Sequence, residues 1–192
     1  MDILKNKTLT ITAALVALMA LTRFNHFGSA AALPDASYAV FFLGGLFLGR
    51  VRAALAVLAL LLVEAALVDY YAINFAGVSG WCVTSAYGFL VFAYAALWFV
   101  GRGFAPHHVA GMKGLPKLAV AATVAGVSAF AIANISFYLL SGYFGSMDVS
   151  EFAARVAPYS VSYVVAMLGY VGCAAAVEML FAAKAQRAPR AA

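Results

Sequence analysis

The chain reads as an all-α membrane protein with six transmembrane helices and cytoplasmic N- and C-termini. Three observations lead there. Of the 192 residues, 66% are hydrophobic and only 10% charged, whereas a soluble domain carries roughly 25% charged residues. The apolar residues gather into runs approaching the roughly 20 that a bilayer crossing needs. Ten of the twelve Lys and Arg fall in alternate connections, and cytoplasmic connections are the ones that collect positive charge.

The first segment runs from Thr8 to Thr22. Lys5 and Lys7 precede it, and Arg23, Asn25 and His26 follow with no small-x-small site, so it reads as a retained helix and not a cleaved signal peptide. Ala13 and Ala17, with Ala14 and Ala20, give it a small-residue face that lets another helix approach closely. The second segment, Ala36 to Leu48, is short for a span and calls for tilt or an extension into the loop before it. Arg50 and Arg52 lead into the third, Ala53 to Ala72, which carries Glu64 and ends near Asp69 in Val68-Asp69-Tyr70-Tyr71. The fourth, Val83 to Gly101, starts directly after Trp81-Cys82. A cytoplasmic loop from Gly103 to Lys117 then holds His107, His108, Lys113 and Lys117. The fifth spans Leu118 to Leu140 and the sixth Pro158 to Ala183, followed by Lys184, Arg187 and Arg190. Only Arg23 and Arg155 fall on the outer side. No linker divides the chain, so residues 1–192 form one domain.

The formal charge of +5 anchors the inner face against anionic lipid and calls for no nucleic acid. No phosphate-binding GxxxxGK[ST] loop occurs, so no nucleotide is expected. Any uphill transport draws on an ion gradient or another subunit.

The candidate chemistry lies outside, in the loops Arg23–Asp35, Ile73–Cys82 and Ser141–Ala157. Cys173 sits about 15 residues down the sixth helix, over roughly 20 Å from Cys82 at ~1.5 Å per residue, and a disulfide is excluded at that separation. It reads as a small packing residue. Cys82 is left single and accessible, either an interfacial packing residue or a soft ligand for a late transition metal. Asp69 is costly at its depth unless paired or wetted. It hydrogen-bonds a polar ligand or caps loop backbone. Glu64, on another face of the same helix, is a proton carrier or a hydrogen-bond partner of a neighbouring helix. His26 is a metal or polar-ligand contact, or simply solvated. His107 and His108 have no companions at zinc-ligand spacing. Glu178 pairs with Lys184 or with a partner. Trp81, Tyr138, Tyr143, Phe144, Tyr159 and Tyr163 form either an interfacial belt or the wall of an outer ligand site.

Size, six spans, cytoplasmic termini and the alanine face resemble the substrate-binding S-components of energy-coupling-factor (ECF) vitamin transporters. Three local motifs are sharper: Leu33-Pro34-Asp35-Ala36-Ser37-Tyr38-Ala39-Val40-Phe41-Phe42-Leu43, Val68-Asp69-Tyr70, and Cys82-Val83-Thr84-Ser85-Ala86-Tyr87-Gly88-Phe89. These resemble the BtuM family, small cobalamin transporters related to S-components and often found without a dedicated ECF module. The resemblance covers most of the first four helices and loosens from Gly103 onward.

The resemblance implies an S-component-like bundle in a bacterial cytoplasmic (inner) membrane that takes up cobalamin. It implies that Cys82 ligates the cobalt from the lower axial side, and that Asp69 and Tyr87 support the ligand or the thiolate by hydrogen bonding. His26 helps to close the pocket. It also implies thiolate-assisted removal of the upper cyanide from cyanocobalamin by Cys82, as an ancillary reaction of a transporter. The partners implied are cobalamin, the lipid bilayer, and an ECF-type energising module or none. Three rival readings stand beside it: an S-component for another vitamin, a membrane enzyme using Cys82 with Asp69 or His26, and an accessory subunit that only packs helices.

Overall fold

The computed structural model describes residues 2–23 and 33–187, so His26 lies outside the described residues. The described residues form six α-helices: α1 (Asp2–Thr22), α2 (Ser37–Leu48), α3 (Ala54–Phe75), α4 (Leu90–Phe104), α5 (Leu115–Leu140) and α6 (Val149–Arg187). Short 3-10 turns flank α4 and precede α5. No strand occurs among the described residues.

Four helical stretches are long and apolar enough to cross a membrane: Ala54–Phe75, Tyr87–His107, Met112–Leu140 and Val149–Lys184. The other two, Asn6–Thr22 and Ser37–Leu48, are shorter apolar helices. The outer surface fits a bilayer. Leu55 is 64% exposed, Leu67 62%, Val120 64% and Leu180 70%. A continuous apolar exterior of this kind is costly in water and at home in lipid.

The shortest helix is the centre. Ten of the twelve residues of α2 are buried, which is why α2 is apolar on every side. Its closest neighbour is α4. A Cβ on Gly45 would lie 1.9 Å from the Trp98 carbonyl oxygen, and one on Gly101 would lie 2.2 Å from the Phe42 oxygen. The two backbones touch because glycine sits at both contacts, the small-residue device of membrane helix pairs. Trp98, fully buried, fills the space above Gly44. Met19 of α1 and Met167 of α6 close the same core.

Three of the boundaries that differ from those read in the sequence bear on candidate residues or on the cap of a helix. α6 begins at Val149 and not at Pro158. The Asp148 carboxylate starts it by accepting the Ser150 N–H at 2.8 Å and the Ser150 hydroxyl at 2.6 Å, as an N-terminal capping residue does. Pro158 is carried inside the helix, leaving the Ala154 carbonyl without its usual helical donor. Arg155 is therefore helical and pairs with Glu151, four residues earlier, at 2.7 Å. α3 continues to Phe75, so Asp69 lies inside it and not at its end. Regular α4 starts at Leu90, and residues 76–86 form the connection that carries Cys82.

Candidate functional site at the Cys82 end of the bundle

The end of α1, the start of α2 and the α3–α4 and α5–α6 connections meet at one end of the bundle. The chain reverses after α3 at Gly77, whose φ of +72° is a left-handed value that glycine adopts without steric cost. The Val78 N–H returns to the Ala72 carbonyl at 3.1 Å. Ser79 then caps a 3-10 turn, Gly80–Cys82, by accepting the Trp81 N–H at 3.3 Å. Thr84 makes the next turn: its hydroxyl oxygen accepts the Ala86 N–H at 3.2 Å, and its carbonyl accepts the Tyr87 N–H at 2.9 Å. These polar turn-formers set Cys82 and Tyr87 on successive turns.

Beneath this connection lies a buried charge cluster centred on Arg23, which is 3% exposed. Arg23 Nε donates to Asp69 Oδ1 at 2.7 Å and Nη2 donates to Asp69 Oδ2 at 2.7 Å. Nη1 donates to Ser37 Oγ at 2.7 Å and to the Tyr94 hydroxyl at 2.8 Å. Nε also reaches the Ala65 carbonyl at 3.2 Å. One guanidinium thus ties α1 to α2, α3 and α4. Asp35 Oδ2 stands 3.9 Å from Nη1, while Asp35 Oδ1 accepts the Ser37 N–H at 2.8 Å and hydroxyl at 2.6 Å. The Thr22 hydroxyl accepts the Ala36 N–H at 3.1 Å, fastening the start of α2 to the end of α1. Tyr94 stacks on Phe41, with ring centroids 4.3 Å apart and planes 6° from parallel. The bidentate fork is the geometry in which a guanidinium holds a carboxylate most firmly.

Tyr87 joins the cluster through its hydroxyl, which donates to Asp69 Oδ2 at 2.6 Å. Asp69 and Tyr87 are therefore in direct contact, as partners of each other. Cys82, five residues before Tyr87, is exposed and free. Partial burial of the sulfur and the Asp69 carboxylate both push the Cys82 thiol up from its ordinary value. A bare thiolate is disfavoured there, and a bound metal ion would supply the positive charge that releases the proton. Among the described residues, no group of three or more His, Cys, Asp or Glu gathers into a metal cage.

The outer aromatics form a clasp. Trp81 stacks on Tyr143 with centroids 5.1 Å apart and planes 4° from parallel, and meets Phe137 edge-on at 5.0 Å. The Tyr143 hydroxyl donates to the Trp81 carbonyl at 3.3 Å. Phe144 continues the contact to Phe152 at 4.8 Å. The residue next to Cys82 is thereby held by the α5–α6 connection. Deeper, Tyr38 of α2 meets Tyr163 of α6 at 5.3 Å.

Other residues stand apart from this site. Both carboxyl oxygens of Glu64 are buried without a hydrogen-bond partner among the described residues. Cys173 is exposed on the outside of α6 and is not packed within the bundle. Glu178 pairs with His108 and not with Lys184: His108 Nε2 and Glu178 Oε2 are 2.8 Å apart, joining α6 to the α4–α5 connection at the opposite end. Phe47 meets the His108 ring edge-on at 6.0 Å. An open groove of about 410 Å³ at that end is lined by Phe104, Pro116, Lys117, Val120 and Ala121.

Sequence reasoning missed Arg23 as the centre of the cluster. The available signal was its position: a cation on the side that membrane proteins keep poor in positive charge, with Asp35 and Asp69 predicted at the same end. A charge so placed needs a partner. No protein-family model matches this chain, and no curated protein matches it in sequence.

Proposed function

We propose that this chain is a cobalamin-specific uptake protein of a bacterial cytoplasmic membrane, with six spans, cytoplasmic termini and its corrinoid site at the Cys82 end. One observation carries the reading: an exposed Cys82 thiol lies on the turn before Tyr87, whose hydroxyl is bonded to Asp69 at 2.6 Å. All three residues lie in motifs that resemble those of BtuM transporters. A single soft sulfur suits a cobalt whose equatorial positions are already filled by the corrin nitrogens. The aromatic clasp of Trp81, Tyr143 and Phe137 suits a large, partly apolar ring.

In this reading cobalamin arrives from outside as substrate, its own nucleotide base vacates the lower axial position of the cobalt, and Cys82 Sγ takes that place as the thiol proton passes to solvent. Thiolate donation from below weakens the bond to an upper cyanide, which departs with its electron pair as cyanide ion. This ancillary step consumes no electrons and leaves transport as the main activity. Asp69 and Tyr87 orient the site, and His26 belongs to its rim. Inward release is a conformational step, driven with an ECF-type module or without one.

The test is spectroscopic. The protein is purified with excess cyanocobalamin, and its visible absorption is compared with that of Cys82→Ala. Co-purified corrinoid with a shifted spectrum, reverting to the free-ligand shape in the variant, is the expected result. A colourless wild-type protein sinks the assignment and turns the search to other vitamins.

A further inference from the structure

The hydrogen-bond bookkeeping around Tyr87 determines what that residue can offer a ligand. A phenol has one proton to donate and lone pairs to accept with. The Tyr87 proton is committed to Asp69 Oδ2 at 2.6 Å. Asp69 cannot reverse the bond, because an ionised carboxylate only accepts. Nor can it turn away, because Arg23 grips both of its oxygens at 2.7 Å. Arg23 itself is 3% exposed, with its other terminal nitrogen engaged by Ser37 and Tyr94. No positive charge of this cluster is left to meet an anion: Asp35 and Asp69 flank the one guanidinium.

We propose that Tyr87 is an acceptor-only subsite, which selects a hydrogen-bond donor on the ligand and rejects a carboxylate at the same place. Under the cobalamin reading, on which this inference rests, the donor is a primary amide of a corrin side chain. A carboxylate there would set acceptor against acceptor, close to the negative Asp69. Specificity of this kind comes from the repulsive element as much as from the new bond. Arg23 acts as the positioning residue behind it, through Asp69.

The experiment compares two probes on purified wild-type protein: cobinamide, which carries side-chain amides, and cobyrinic acid, which carries carboxylates instead. Binding is measured at low and at high salt, so that the overall charge of the acid is screened. Cobinamide is expected to bind at least about tenfold more tightly at both salts. In Tyr87→Phe the gap narrows, because the acceptor is gone. In Asp69→Asn it narrows by another route: the Asn amide can donate to the Tyr87 oxygen and release the phenolic proton toward the acid. Equal binding of the two probes by the wild type, or a gap unchanged in both variants, overturns the inference and leaves the cobalamin reading standing. Failure of the wild type to bind either probe or cyanocobalamin removes the cobalamin reading, and this inference with it.

Discussion

Arg23 is buried and hydrogen-bonded through all three guanidinium nitrogens, and its surroundings explain why it is there. Two carboxylates, Asp69 and Asp35, lie against it inside the bundle. Removing the cation leaves them without compensation, and breaking a buried pair from one side costs about 3–5 kcal/mol. Arg23→Met is therefore expected to lower the thermal unfolding midpoint in detergent sharply. Adding Asp69→Leu should recover part of the loss, since a buried pair replaced by apolar groups is often neutral. A single variant as stable as wild type would show the cluster to be wet. Cys82 yields a second prediction at this scale. Burial and the Asp69 carboxylate hold its thiol above the ordinary range, which lies near pH ~8.5. In a Cys173→Ala background, alkylation by iodoacetamide should be slow at neutral pH and accelerate only as the pH climbs past that value. Asp69→Asn removes a negative neighbour, favours the thiolate and moves the rate profile to lower pH. A profile that stays in place would exclude Asp69 as the cause.

At the scale of elements, the pairing of α2 with α4 carries the bundle. Lipid competes for apolar side chains as well as another helix does, so membrane helices associate through close van der Waals contact. Gly45 and Gly101 allow that contact by bringing α2 and α4 to backbone distance. Gly45→Val inserts a side chain where the Trp98 carbonyl stands, and overpacking of this kind costs about 3 kcal/mol. Gly103→Ala is the control, because nothing lies within 4 Å of the added carbon. The expected result is a large drop in unfolding midpoint for the first and little change for the second. Equal effects would place the critical packing elsewhere. Pro158 shows the opposite tolerance: α6 runs through it, since a proline in a membrane helix is accommodated when other groups satisfy the freed carbonyl.

For the whole molecule, the distribution of Lys and Arg predicts the Cys82 end to be external. A membrane-impermeant maleimide applied to intact cells expressing Cys173→Ala should label Cys82, and prior reaction with a permeant maleimide should prevent it. Labelling that requires broken cells would invert the orientation and rule out capture of a ligand from outside. The two ends also differ in what holds them. A charge cluster under an aromatic clasp closes the Cys82 end, while the His108–Glu178 pair joins α6 to the α4–α5 connection at the other.

Composition and apolar run length determine the class by themselves, because a chain with so few charges has no means of covering itself in water. They also locate the six helices, with the starts of α1, α4 and α6 displaced by six to nine residues; at α6 a polar cap outweighs a proline, Asp148 starting the helix ahead of Pro158. The turns at Ser79 and Thr84 are not legible in the same way, since the apolar run from Val83 reads as helix, and Cys82 and Tyr87 are linked there only through the family resemblance. The tertiary structure alone decided what those residues face. Asp69 and Arg23 are 46 residues apart in the chain, and nothing local to either distinguishes a buried pair from two solvated charges. Their meeting depends on α2 being buried on all sides, with α1, α3 and α4 packed around it. That arrangement follows from shape complementarity at Gly45, Trp98 and Gly101, which is a property of surfaces in contact and not of any one segment.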